Sequence, residues 1–168
     1  FCLVGRPEDA LQNYDILERI FQSPHLRLAI IEVGIEADTQ HLLDLLGRGT
    51  NPDINRKAVA ALVELQQRYS PGTQILANMI LFSHYDMTME DLIANIRFIG
   101  EHRCSKDVTV LNLYGVAMTP IWQEMRAKGF QPNPHKGLQI QEYPFTDETV
   151  NRLFQKFSSY FHALLSVK

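Results

Sequence analysis

At 168 residues, with 45% apolar and 21% charged side chains, the chain fits one soluble globular unit that buries roughly 70% of its unfolded surface. A net charge of −3 with no long Lys/Arg run offers nucleic acid no broad electrostatic attraction, and no apolar stretch reaches membrane-span length. Two cysteines, Cys2 and Cys104, make no disulfide framework and read as free thiols in a reducing, cytoplasmic setting. The first residues carry no charged start followed by an apolar run. They open on Phe1-Cys2-Leu3-Val4, which reads as a cut through a strand and hence as an internal fragment, with a processed start as the alternative.

Short apolar runs alternate with amphipathic segments. After the strand-like start, Pro7 opens a helix over Glu8 to Phe21, with Ala10, Tyr14, Leu17 and Phe21 at helical spacing. Leu28 to Ile35 is almost wholly apolar and suits a strand buried on both faces of a parallel sheet. Asp38 or Thr39 caps a short helix that Gly47 ends. Asn51-Pro52 starts a longer helix, because Asn accepts from free amides and Pro at the first position loses no bond. Ile75 to Phe82 is the next strand. Thr88 with Asp91 forms a capping box ahead of Leu92, Ile93, Ile96 and Ile99. Val108 to Tyr114 is a further strand, Thr119-Pro120 starts a helix ended by Gly129, and Gln131 to Pro144 is a loop. Thr146 caps a last helix with Val150, Leu153, Phe154, Phe157, Phe161 and Leu164 on one side.

This succession predicts parallel strand–helix–strand units. Three or four strands are too few to close an eight-stranded barrel, which leaves a partial barrel or an open sheet. Ligands in such folds bind beyond the carboxyl ends of the strands. The segments that matter are therefore Gly34-Ile35-Glu36, Phe82-Ser83-His84-Tyr85, Tyr114-Gly115-Val116 and the loop after Val4. Glu36 ends a very apolar strand, where a carboxylate needs a partner. It either accepts hydrogen bonds from a ligand or pairs with a neighbouring Arg. The remaining histidines show no zinc-ligand spacing with the cysteines. Asp86, Glu90 and Asp91 suit a helix amino terminus, and the aromatic residues Trp122, Phe130, Phe154, Phe157, Tyr160 and Phe161 suit a core.

Ile31 to Thr39 resembles the fourth-strand Gly-Ile-Glu-Ser motif of radical S-adenosylmethionine (SAM) enzymes. Leu43 to Thr50 resembles the family's following helix and turn, and Asn51 to Leu65 its next helix. Ile80 to Leu92 resembles the fifth strand and the helix start after it. Met118 to Gly129 resembles the Gly-Thr-Pro element after the sixth strand. These segments run in order from about Arg27 to Phe130, and their flavour is that of the group including cobalamin-binding members. The resemblance implies a parallel α/β partial barrel of radical SAM type. About half of that barrel is present, as residues 1–130, followed by a loop and C-terminal helix over 131–168.

It also implies a chemistry. The family holds a 4Fe–4S cluster on a Cys-x3-Cys-x2-Cys loop. SAM on that cluster is cleaved to a 5′-deoxyadenosyl radical that abstracts substrate hydrogen. Carried over by position, Glu36 matches the contact to the ribose or methionyl amine, and Arg48 a basic partner for the methionyl carboxylate. Asn78 matches a ribose contact, and Tyr114 with Gly115 the adenine end. His84 would sit at the barrel mouth as a substrate contact. The cysteine motif is absent, so the cluster is expected on residues outside this chain, with cobalamin in the parent protein. Ser83-His84-Tyr85 and Ala117-Met118-Thr119 replace family Gly and Pro positions near the adenine. The expected partners are an amino-terminal half barrel and a small-molecule or peptide substrate, with neither nucleic acid nor membrane. The other readings are a cluster-less interaction module, and an unrelated α/β enzyme using Glu36 and His84 as acid and base. An exposed strand edge predicts self-association of the isolated chain.

Overall fold

The computed structural model describes residues 1–102 and 109–166, with side chains described for 1–102 and 112–159. Four strands, β1 (Cys2–Gly5), β2 (Ile30–Glu36), β3 (Gln74–Phe82) and β4 (Thr109–Asn112), form one sheet in the order β1-β2-β3-β4. Every neighbouring pair is parallel. Parallel neighbours need long crossovers. These are α1 (Pro7–Gln12) and α2 (Tyr14–Gln22), then α3 (Gln40–Leu45) and α4 (Pro52–Tyr69), then α5 (Met89–Glu101). After β4 come α6 (Pro120–Ala127), a 3₁₀ turn over Pro134–Lys136, and α7 (Glu148–Ser166).

The capping chemistry is largely as the sequence predicts. Asn51 accepts from the Ile54 amide at 2.9 Å, with Pro52 at the first helical position. The Thr88 hydroxyl accepts from the Asp91 amide while the Asp91 carboxylate accepts from the Thr88 amide. Between the two caps offered for α3, Thr39 takes the role and accepts from the Leu42 amide.

Four expectations are corrected. The helix over Glu8 to Phe21 is two helices, broken at Asn13. The Asn13 side-chain amide donates to the Asp9 carbonyl at 2.9 Å, an alternative to helical continuation open to short polar side chains. The apolar spacing runs through the break because both pieces pack on the same layer. Thr146 does not cap α7. Asp147 does, accepting from the Thr149 and Val150 amides at 2.8 and 3.1 Å, while the Thr146 hydroxyl donates to Asp86. Asp86 therefore serves no helix amino terminus; it ties Lys128 of the α6 end to the start of α7. And the segment Gln131 to Pro144 is more than a loop: Ile140 exchanges both backbone hydrogen bonds with Gly115 at 2.9 Å and is fully buried.

Burial along β2 alternates, which revises the reading of a strand buried on both faces. Ile31, Val33 and Ile35 point into a core with Val59, Leu62 and Leu65 of α4 and Phe98 of α5. Glu32, Gly34 and Glu36 occupy the opposite, half-covered face. A second core lies at the carboxyl ends of the strands. Phe82, Tyr85, Met125, Ile140, Tyr143, Phe145, Val150 and Phe154 share it with Leu42 and Leu43, so residues on either side of Phe130 pack together. Phe82 meets Phe154 edge-on with ring centroids 5.2 Å apart. Phe157 extends this cluster but stays 45% exposed.

Candidate functional site

A cavity of 310 Å³ opens at the carboxyl ends of the strands, lined by Glu36, Arg48, Ile80, Leu113, Ile121 and Glu124, among others. Its size falls at the lower end of small-molecule sites, roughly 300–1,000 Å³.

Glu36 is brought here by a local irregularity. The β2–β3 register shifts between Gly34 and Glu36, and Glu36 takes a left-handed backbone with φ 67°. That conformation is uncommon for any residue but Gly, Asn or Asp, and it occurs where the surrounding structure enforces it. Burial raises the Glu36 pKa above the ordinary carboxylate value; Arg48 opposes the shift and Glu32 adds to it.

Arg48 sits in the turn between α3 and α4, flanked by Gly47 and Gly49, both with positive φ. Its guanidinium donates to the Gly34 carbonyl at 2.9 Å and lies 4.0 Å from the Glu36 carboxylate. The Arg6 side chain in turn donates to the Arg48 carbonyl, tying the β1–α1 junction to this turn. Gly34 leaves room between the pair. A Cβ there would stand 2.7 Å from Glu36 Oε1 and 3.5 Å from Arg48 Nη2.

Asn78 lies opposite Gly34 in the ladder, which puts it on the face of Glu32 and Gly34. Its amide nitrogen donates to Glu32, while its amide oxygen is buried without a partner. Arg48 Nε is likewise buried and unpartnered. Glu32 was missed by sequence reading. Its signal was the period-two spacing Glu32, Gly34, Glu36, which puts all three on one face of a strand. Glu124 was missed as well. It is an exposed α6 residue on the cavity wall, and its carboxylate accepts from the Tyr85 hydroxyl.

Tyr114 and Gly115 lie beyond the end of β4, short of the strand expected to reach Tyr114. Tyr114 is 42% exposed. The Gly115 amide and carbonyl are both taken by Ile140, so its place in the site is one of close packing against Met125 and Ile140. His84 does not stand at an open mouth; it is fully buried. Its Nδ1 accepts from the Asp86 amide at 3.1 Å, its ring lies 4.1 Å from that of Tyr85, and Nε2 has no partner. Burial lowers its pKa.

Behind the cavity, two fully buried asparagines hold the strand ends, and sequence reading found neither. The Asn55 amide donates to the Ile35 and Ala37 carbonyls. Asn95 accepts from the Asp38 amide at 2.9 Å and donates to Ile80, Leu81 and Ser83. Asp38 closes the network with Arg56, which also pairs with Glu101 at 2.8 Å.

The sequence matches no protein-family model and no curated protein. Among solved structures, the cobalamin-dependent S-adenosylmethionine radical enzyme OxsB with aqua-cobalamin bound is similar over 99% of this chain, with TM-score 0.70 and 14% identity. The same enzyme with aqua-cobalamin and S-adenosylmethionine bound gives TM-score 0.69 at the same identity. The chain has the fold of part of a radical SAM enzyme. It spans 29% of the OxsB chain. At this identity the likeness extends to the fold, and the site rests on its own residues.

Those residues offer a small ligand one anionic and one cationic group. A carboxylate and a guanidinium stand on the cavity wall beside a glycine, Arg48 Nε lacks a partner, and Ile80, Leu113 and Ile121 supply apolar wall, while Asn78 is not among the lining residues. An iron–sulfur cluster does not find its ligands in the same way. Among the described residues no three His, Cys, Asp or Glu side chains are arranged to hold a metal ion; Cys2 is exposed, and Cys104 lies outside the described residues. No helix among the described residues is long and apolar enough to cross a membrane.

Proposed function

We propose that this chain is the carboxyl-terminal half of a radical SAM partial barrel and that its cavity supplies contacts to SAM. The observation that carries this reading is the Glu36–Arg48 pair across Gly34, on a backbone irregularity at the carboxyl end of β2. Glu36 accepts from an ammonium or ribose hydroxyl in this reading. Arg48, whose Nε is unpartnered, offers a carboxylate planar donors. Asn78, whose amide oxygen is unpaired, shares the strand face of Glu32 and Gly34 but is not among the residues that line the cavity. Ile80, Leu113 and Ile121 exclude water from the cavity wall. The chemistry is SAM's own, reductive cleavage for hydrogen abstraction.

In the intact protein the cluster belongs to residues outside this chain. Cobalamin belongs there too, by analogy with the enzyme of similar fold. The β1 edge is the natural seam for the other half barrel, since among the described residues β1 pairs only with β2 and its Val4 is 72% exposed. A cytoplasmic location accords with oxygen-sensitive chemistry and the free thiol of Cys2.

Calorimetric titration of the intact protein with SAM tests the reading. Wild type binds, and Glu36→Ala and Arg48→Ala each weaken binding about 10- to 100-fold, the size of a lost charged hydrogen bond. Equal affinity in all three proteins rejects this cavity as the SAM site.

A further inference from the structure

Arg48, the cation among the described residues that line the cavity, stands on a turn with little to hold it. Gly47 and Gly49 flank it with φ 61° and 65°, and a Cβ on either would meet nothing within 4 Å. Such a turn keeps the freedom that glycine gives the backbone. The Arg48 amide donates to the Leu43 carbonyl at 2.9 Å, and the Gly47 amide to the Asp44 carbonyl at 3.0 Å. Both bonds reach back into α3. The bond that ties the Arg48 backbone to a different part of the fold comes from the Arg6 guanidinium, which donates to the Arg48 carbonyl.

Arg6 is itself held. It precedes Pro7, the first residue of α1, and its amide donates to the Asp9 carboxylate at 3.3 Å. Its guanidinium also lies 3.4 Å from the Glu8 carboxylate. These partners belong to α1, which packs on α4. Arg6 is not among the residues that line the cavity, so its effect on a ligand there passes through Arg48. The Arg48 side chain is pinned by the Gly34 carbonyl at 2.9 Å and its backbone by Arg6, which fixes the residue at both ends. A charged contact depends on such fixing, because a misplacement of about 1 Å can cost a well-oriented group most of its worth.

We infer that Arg6 is a positioning residue: it holds the Gly47–Gly49 turn so that the Arg48 guanidinium faces the ligand's carboxylate, and it thereby sets the site's preference for a carboxylate-bearing ligand. This rests on the proposed contact between Arg48 and the methionyl carboxylate of SAM.

The test is calorimetric titration of the intact protein with SAM and with decarboxylated SAM, which lacks only the carboxylate. Wild type prefers SAM, and Arg48→Ala abolishes that preference. Arg6→Ala, a change at an exposed side chain, weakens SAM about fivefold, the size of one hydrogen bond, and leaves decarboxylated SAM within about twofold. Arg6→Lys keeps one charged donor and holds SAM affinity within about twofold of wild type. Added to Arg48→Ala, Arg6→Ala costs no further SAM affinity, as two residues acting through one contact require. An Arg6→Ala protein that binds SAM as wild type does, or that loses both ligands alike, overturns the inference while the SAM reading stands. A wild type with no preference for SAM, or an Arg48→Ala protein that keeps the preference, removes the carboxylate contact itself, and the inference falls with it.

Discussion

Glu36 carries the most weight among single residues. Its pKa is raised chiefly by burial. An acid held above its ordinary value favours the folded state when protonated; that contribution is present below the ordinary value and is lost as pH rises through the raised one. Glu36→Gln therefore stabilises the protein relative to wild type at pH 8 and leaves it level at pH 4, a difference read by thermal unfolding at both values. Binding runs the other way. A ligand ammonium needs the ionised carboxylate, so SAM affinity in wild type falls with acidity from a higher pH than an ordinary Glu would set. Gly34→Ala tests the geometry directly. Its Cβ would meet the mobile end of Glu36 at 2.7 Å, so the carboxylate swings aside. SAM affinity drops by about 1–2 kcal/mol, measured by calorimetry, with only a small change in melting temperature. That Glu36 and Arg48 share a cavity wall was legible in the sequence, because the segments that carry them follow one another closely. Arg6 was not, since its contact with the Arg48 carbonyl joins segments 42 positions apart with no local pattern.

At the scale of elements, local signals were readable and long-range ones were not. Asn51-Pro52, the Thr88 box and Thr119-Pro120 all start helices as the sequence indicates, because a cap is settled within four residues. The cap of α7 went to Asp147 because Thr146 found a partner in Asp86, 60 positions away. Asp147→Ala is accordingly expected to destabilise the protein by about 1 kcal/mol in chemical unfolding, as a lost helix cap does. The buried asparagines were illegible for the same reason; nothing in an amphipathic helix pattern marks an inward Asn that binds strand carbonyls. Asn95→Ala leaves the Asp38 amide and the Ile80 and Leu81 carbonyls to fend for themselves. It lowers stability by about 2–4 kcal/mol in urea unfolding, since each buried group left unpaired costs about 1–3 kcal/mol. The Gly115–Ile140 bridge was hidden inside a Pro- and Asn-rich stretch that reads as loop, although a buried Ile at position 140 was its one trace.

For the whole molecule, the alternation of strands and helices was enough to predict a parallel α/β sheet, and the order β1-β2-β3-β4 is the simplest such arrangement. The alternating burial of β2 was less visible, because an apolar run does not tell one face from two. That alternation matters for function, since the half-covered face carries Glu32, Gly34, Glu36 and, from β3, Asn78. The open β1 edge makes the isolated chain prone to association, which sedimentation at increasing concentration would register. The account stands on whether this face serves SAM in the complete protein. The most direct measurement is formation of 5′-deoxyadenosine by the intact protein, purified without oxygen and reconstituted with iron and sulfide, in wild type and in the Glu36→Ala, Arg48→Ala pair. The account predicts reductive cleavage in wild type and its loss in the double variant. A folded protein that assembles no cluster and cleaves no SAM, or a double variant as active as wild type, contradicts it.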